Sequence, residues 1–307
     1  MENTENTQVL NENNAVVNQA LLLGAIDRIL IKSSIARRVS DVQPLKGPVG
    51  IISGAQWDKT EGKLTIAKED VEAATEKIRT EFTKEALQDL QGIYKESFYN
   101  MLAHYLVDEL TYKIDEKFLT MVKDRATPKN TLTFSGAVFD AALSEVGYAI
   151  AIAVNKGLCD LPISDNRSAK GWAVVSSNVA SLLTGHLGGT LNDVSDEDLE
   201  DESPSYLGRI ANVDYFIDYT HPNNGLNSVV YGIKGNGFSK GSTIYSPYTQ
   251  QWVDTIDPEN GEQIFFLLDR TAMAINPLDK KYYNGGAGVS GFLGKFNCDL
   301  SDLQIFK

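Results

Sequence analysis

One long apolar stripe constrains this chain more than any other feature. Met101, Leu102, Tyr105, Leu106, Leu110, Ile114, Phe118, Leu119 and Val122 recur at spacings of three and four. That spacing gathers them on one face of a helix, and such a face must be covered by another layer. A shorter helix is predicted before it. Thr83 is a good N-cap, Ala86, Leu87, Leu90 and Tyr94 follow at helical spacing, and Gly92 is placed to kink or end the element. Pro128 closes the region. Phe134 to Asn155, nearly all apolar, is predicted as a third helix with Gly157 as its stop.

The flanks have a different texture. Residues 1–19 are rich in Asn, Gln and Glu and predict an extended or disordered arm, with a brief helical pattern over 20–34. Val42 to Gly50 holds two prolines and two glycines, so it is predicted as extended chain leading into a strand at Ile51 and Ile52. Trp57 to Ile66 contains the turn Glu61-Gly62-Lys63 and predicts a hairpin or protruding loop. Lys68 to Phe82 is so polar that a solvated helix is expected. Further on, Gly171-Trp172-Ala173-Val174-Val175 predicts a buried strand, and Ser176-Ser177 caps a short helix through Val179, Leu182 and Leu183. Residues 193–202 hold seven acids and no base, an exposed loop. Short β-runs divided by Gly, Asn and Pro then extend from Tyr206 to Ile275. Helices first and strands later make an α+β arrangement.

The 307 residues carry a net charge of -13. Such an acidic chain is unsuited to free-standing nucleic-acid binding, which needs basic surface to neutralise phosphates. As the wall of a container it would repel DNA. No apolar run approaches the roughly 18 residues of a membrane span, and Met1 to Asn14 lacks the basic start and apolar middle of a signal peptide. Cys159 and Cys298 form no CxxC and are expected as buried thiols in a reducing cytoplasm.

No catalytic, cofactor or metal site is predicted. His104 lies in the stripe region and is expected to be structural, His186 sits in a glycine-rich turn without a Ser or Cys elbow, and His221 precedes Pro222. The glycine-rich run Gly232 to Thr243 invites a phosphate-loop reading. It fails because the order is Lys240-Gly241-Ser242 where Gly-Lys-Ser/Thr is needed, and no helical pattern follows.

Four ordered stretches carry a resemblance. They are Val42-Gln43-Pro44-Leu45-Lys46-Gly47-Pro48-Val49-Gly50; Thr83 to Leu90 with Leu106-Val107-Asp108-Glu109-Leu110 and Ile114; Lys156-Gly157 with Gly171 to Val179; and Tyr231-Gly232-Ile233-Lys234-Gly235 with Gly241 to Tyr248. Together they touch most of residues 35 to 277, and the chain resembles the major capsid protein of T4-like contractile-tailed phages, which has the HK97 fold. The chain is short for that family and compact between Gly50 and Thr83, so the family's extra insertion domain is expected to be absent.

The resemblance implies an N-terminal arm at 1–46, an extended loop at 47–82, a peripheral domain with long helices at 83–159 and 278–307, and a strand-rich axial domain at 160–277. It implies a structural, non-enzymatic subunit of the phage head, synthesised in the host cytoplasm. Hexamers and pentamers would form an icosahedral shell around double-stranded DNA without reading its sequence. Vertex, decoration, scaffold and portal proteins are the implied partners, and no membrane or cofactor is. The arm and loop carry Leu21 to Leu23, Ile29 to Ile31, Ile51, Ile52 and Trp57 with too few local partners for a core, which suits segments covered by neighbouring copies. Arg37 and Arg38 either pair with carboxylates of an adjacent subunit or stand exposed. Trp57 either anchors an interface or packs on its own hairpin. Leu10-Asn11-Glu12 resembles the sites that maturation proteases of this family cut, which would place cleavage after Glu12. A pentameric vertex protein, an encapsulin-like cage and a soluble acidic enzyme are the competing readings.

Overall fold

A computed structural model describes residues 26, 30, 33–58, 62–94, 98–129, 131–133, 142–162, 170–187, 205–220, 227–235, 240–282 and 290–299. Ile26, Leu30 and Ser33 have helical backbone and lead to α1 (Ile35–Val39) and β1 (Asp41–Val42). The hairpin β2 (Val49–Asp58) and β3 (Lys63–Glu72) follows, then β4 (Ala74–Phe82), α2 (Lys84–Tyr94) and the stripe helix α3 (Phe98–Arg125). Next come β5 (Ala126–Pro128), β6 (Leu132–Thr133), α4 (Ala142–Cys159), β7 (Lys170–Val175) and α5 (Ser177–Leu187). The chain ends in β8 (Tyr206–Ile210), β9 (Val213–Ile217), β10 (Ser228–Lys234), β11 (Thr243–Ile256), β12 (Gln263–Ile275), α6 (Leu278–Tyr282) and β13 (Ser290–Asp299).

The strands form two main sheets and the separate β2–β3 ribbon. One sheet has the order β1-β11-β12-β4; the other has the order β5-β13-β10-β7-β9-β8, with β6 also on β13. Helix α3 buries Leu102, Leu106, Leu110, Ile114, Phe118 and Val122 of the predicted stripe in one core with Ile78, Trp252, Phe265 and Leu267 of the first sheet and Trp172, Val174 and Val230 of the second, whereas Tyr105, also expected on the stripe, faces solvent beside His104. The other face of the second sheet, including Ala173, Val175, Tyr215 and Tyr231, packs on Val146, Ile150 and Val154 of α4 and Val179 and Leu183 of α5. Strand β7 is thus covered on both faces, which is why it reads as a continuous apolar run.

Three local expectations change. Lys68 to Phe82 is strand, the end of β3 and all of β4: Glu76 and Ile78 are buried while Lys77 and Arg79 are exposed, a period of two disguised because a glutamate takes an inward place beside Lys117 of α3. Helix α4 continues to Cys159, and Gly157 is needed inside it because a Cβ there would strike the Tyr231 ring; Gly294 faces the same ring. Cys159 is exposed at that helix end, one position past the inward-facing Leu158, whereas Cys298 is buried and its thiol is pushed up to about 12 by desolvation.

The sheets also cut across the four segments implied by the resemblance. β11 and β12 fall within 160–277, yet they pair with β4, and β13 joins the sheet of β7 and β10. Local composition carries no sign of such pairings, because the partners are far apart in sequence.

Candidate assembly surface

The β2–β3 ribbon has one attached face and one uncovered face. Opposite residues in its register share a face. Gly50↔Val71, Ile52↔Glu69, Gly54↔Ala67 and Gln56↔Thr65 make one side; Val49↔Glu72, Ile51↔Asp70, Ser53↔Lys68, Ala55↔Ile66 and Trp57↔Leu64 make the other. On the first side Ile52, Gly54 and Thr65 are buried against the body. A Cβ on Gly54 would collide with the Asn276 side chain, so only glycine lets the ribbon sit this close to the start of α6. Lys280 of α6 bonds Glu69 at 2.6 Å, and Gly62, at φ 63°, makes the turn. A cleft of about 500 Å³ lies at the root, between Val71 of β3, Met121 and Arg125 of α3, and Met273 of β12.

The second side is largely exposed, with Ala55 as its buried member. Val49 is 62% exposed, Ile51 64%, Leu64 54% and Ile66 54%. A two-stranded ribbon is marginal in water alone, and contiguous exposed aliphatic side chains mark a contact surface. Covering each adds on the order of 1 kcal/mol. Of these residues the sequence reasoning singled out Ile51 and missed Val49, Leu64 and Ile66; alternation with Lys63 and Thr65 along β3 is a signal that finds Leu64 and Ile66, while Val49 has no such alternation beside it. Ile52, its companion in the expectation, faces inward.

The arm behaves otherwise. Ile26, Leu30, Ile35, Ala36 and Val39 belong to the chain's own core around α3, which corrects the expectation that the whole arm lacks local partners. Two buried carboxylates hold it. Asp115 of α3 accepts from Ser34 Oγ at 2.8 Å, Ile35 N at 2.9 Å, Ala36 N at 3.0 Å and Tyr219 Oη at 2.7 Å. Burial raises its pKa, and the four donors pull the other way. Asp41 accepts from Gly235 N at 3.0 Å and Gly241 N at 2.7 Å, and it too is raised by desolvation. The glycine-rich run that suggested a phosphate loop therefore does present amides to an anion, and the anion is the chain's own Asp41. Gln43 links arm to ribbon by donating to Ser53 O at 2.7 Å and accepting from Ser53 N at 3.0 Å. Neither Asp115 nor Asp41 was singled out from sequence, and no local pattern marks them; Gln43 stands in the first of the four ordered stretches, with no sign there of its bond to Ser53.

Arg37 is buried with its guanidinium 5.1 Å from the Tyr245 ring centre, and Arg38 is 4.8 Å from that of Tyr206 and 5.7 Å from that of Phe216. Both arginines are thus engaged inside their own chain. Trp57 pairs with Leu64 near the ribbon tip. His104 is exposed on α3, away from the buried stripe, and His186 lies in α5. Leu10 to Glu12, His221 and the acidic run 193–202 lie outside the described residues. Among the described residues no group of three or more His, Cys, Asp or Glu is placed to hold a metal ion, and no helix is long and apolar enough to cross a membrane.

A family model for the major capsid protein Gp23 matches residues 53–291. The chain belongs to this family. No curated protein matches it significantly. Among solved structures, the virus-like particle from Pyrococcus furiosus aligns with a TM-score of 0.52 at 10% identity, over 91% of this chain and 96% of that one. The capsid of Ralstonia phage GP4 gives 0.52 at 11% identity, over 85% and 87%. The SrpI encapsulin of Synechococcus elongatus gives 0.50 at 7% identity, over 85% of each chain. Likeness at such identities speaks for the fold alone, and that fold is the expected α+β, HK97-type one. As a Gp23-family member the chain is a structural subunit of a capsid shell, and the ribbon's exposed face is a surface such a subunit has to offer.

Proposed function

We propose that this Gp23-family chain is the principal shell subunit of a T4-like, contractile-tailed phage head, built of hexamers closed by pentamers around double-stranded DNA. The uncovered aliphatic face of β2–β3 carries the reading. A free monomer leaves that face in water, and a closed shell covers it once per subunit. The first sheet with α2 and α3 serves as the peripheral unit, and the second sheet with α4 and α5 as the axial unit. Trp57, near the ribbon tip, lies at a contact between subunits. The net charge of -13 keeps the wall from adhering to the genome. Vertex, scaffold, portal and decoration proteins complete the particle, and cleavage after Glu12 accompanies maturation.

The test is sedimentation and electron microscopy of the purified chain over a hundredfold range of concentration. Closed shells with hexameric and pentameric units appear above a threshold concentration. Discrete monomers or dimers throughout would overturn the proposal. The fold likeness to the SrpI encapsulin supports a second reading, a cage that packages protein. Particles from the native source that hold protein cargo and no DNA would favour that cage.

A further inference from the structure

The end of the arm meets the middle of β2 by two routes, and the routes close into one circuit. The first is direct. The carboxamide of Gln43 gives Ser53 one donor and one acceptor, at 2.7 Å and 3.0 Å, as a neighbouring strand would. It does so on the edge of β2 that β3 leaves unpaired. Gln43 is itself held on β11, because its N–H donates to Tyr245 O at 3.0 Å and that of Leu45 to Pro247 O at 2.8 Å.

The second route runs beneath the ribbon. Gly54, next to Ser53, rests on the side chain of Asn276. Asn276 Nδ2 donates to Gly241 O at 2.7 Å, and its Oδ1 accepts from Leu278 N at 3.0 Å. The same Gly241 donates its N–H to Asp41 at 2.7 Å, and Asp41 lies two residues before Gln43. The path from Asp41 through Gln43, Ser53, Gly54, Asn276 and Gly241 therefore returns to its start.

The junctions have no slack. A Cβ on Gly54 would strike Asn276, and a Cβ on Gly235 or Gly241 would lie 2.8 Å or 2.9 Å from the Asp41 carboxylate. Asp41 and Asn276 are 7% and 1% exposed, so water does not readily replace a partner that either one loses. Opening one junction strands a buried polar group at the next, which makes the circuit cooperative. Two further polar ties of the ribbon are weak by comparison. Lys280 is 74% exposed in its pair with Glu69, and Gln56 Nε2 reaches Pro162 O only at 3.4 Å.

We infer that this circuit couples the arm to the ribbon: seating of Asp41 on the Gly235 and Gly241 amides holds β2 at Ser53 and Gly54, so the arm sets where the ribbon presents its exposed aliphatic face. Asp41 touches the glycine-rich run and acts on the ribbon only as a positioning residue. Such a coupling is reciprocal, and loosening the ribbon at Gly54 loosens the arm's seat in turn.

Hydrogen exchange with mass spectrometry on the unassembled full chain tests both directions. Asp41→Asn keeps the shape but turns an amide donor toward one of the two glycine N–H groups. It is expected to speed exchange of the β2 amides around Ser53 by about fivefold or more. Gly54→Ala is expected to do the same to the Gly235 and Gly241 amides. The amides of β7, covered on both faces, keep their wild-type rates as the internal reference. A variant that loses protection in β7 has lost its fold, and Gln43→Ala, at a half-buried position, then takes its place. It acts directly on Ser53 and through the circuit on Gly235 and Gly241, where faster exchange is again expected. Asp41→Asn with β2 at wild-type rates, or Gly54→Ala or Gln43→Ala with both glycine amides at wild-type rates, overturns the inference. The readout belongs to single chains, so a failure of the shell reading leaves it unaffected.

Discussion

The arm and the ribbon start from the same predicament and end differently. Each carries aliphatic side chains with few partners nearby in sequence. Residues 34–42 reach satisfaction inside their own chain, because α3 supplies an apolar groove together with Asp115 for the orphan amides at the start of α1, and Asp41 ties the other end to Gly235 and Gly241. The ribbon receives only half of this. Its inner face is seated at Gly54 and Ile52, and on its outer face Val49, Ile51, Leu64 and Ile66 end in solvent. What separates the two is the polar groups, since apolar content alone is similar. Where buried carboxylates fix the register of a segment, it belongs to the fold; where only one face is fixed, the other is left for a partner.

Variants can break that contrast from either side. The largest effect is expected at the ribbon. Ile51→Glu with Ile66→Glu removes assembly at every accessible concentration in sedimentation, while urea unfolding of the monomer changes by under about 0.5 kcal/mol, as for other surface substitutions. A comparable loss of monomer stability would mean that this face is part of the chain's own core. Asp115→Ala comes next. It strands the Ile35 and Ala36 amides and two hydroxyls, at roughly 1–3 kcal/mol for each buried group left without a partner, so about 3–5 kcal/mol is expected after relaxation. Limited proteolysis should then cut near residues 34–42, and an arm that stays protected would refute the role given to Asp115.

A smaller effect is pH-dependent. Burial places the Asp115 pKa above its ordinary 3.8, so the fold binds this proton more tightly than the unfolded chain does. The cost of its charge is fully present above the raised pKa and fades as pH falls toward 3.8. Asp41 shares that sign. Asp218, lowered overall by Lys123 and Thr220 against its own desolvation, has the opposite one and loses stabilisation only on further acidification. Relative to Asp115→Asn, the wild type should therefore gain stability in urea titrations as pH falls through the raised pKa toward 3.8, and parallel curves for the two proteins would contradict this. The smallest effect is expected where arm meets ribbon. Gln43→Ala removes two bonds to Ser53 at a half-exposed position and costs about 0.5–1.5 kcal/mol, with a lowered assembly yield. Unchanged hydrogen exchange at Ser53 would count against the link.

Much of this was legible in the residues. The α3 stripe, Thr83 as a cap to Ala86 N at 3.3 Å, the turn at Gly62 and the doubly covered β7 all advertise themselves through local periodicity or turn chemistry. β4 did not, because Glu76 takes an inward place through its pairing with Lys117, more than one helix away in sequence. Nor did Asp115. It reads as one more polar residue between the apolar positions of α3, and its donors lie 79 to 104 residues away. Local pattern reports which face of an element is dry; it says nothing about which distant backbone amide a lone carboxylate will find.

Gly157 and Gly294 approach the ring of Tyr231 from two elements, α4 and β13, and leave no room for even a methyl group at either place. The aromatic ring works as a gauge block that sets the gap between helix and sheet. Natural relatives that trade either glycine for a larger residue should carry a smaller side chain at the tyrosine position, so that the three sites drift through evolution as a set.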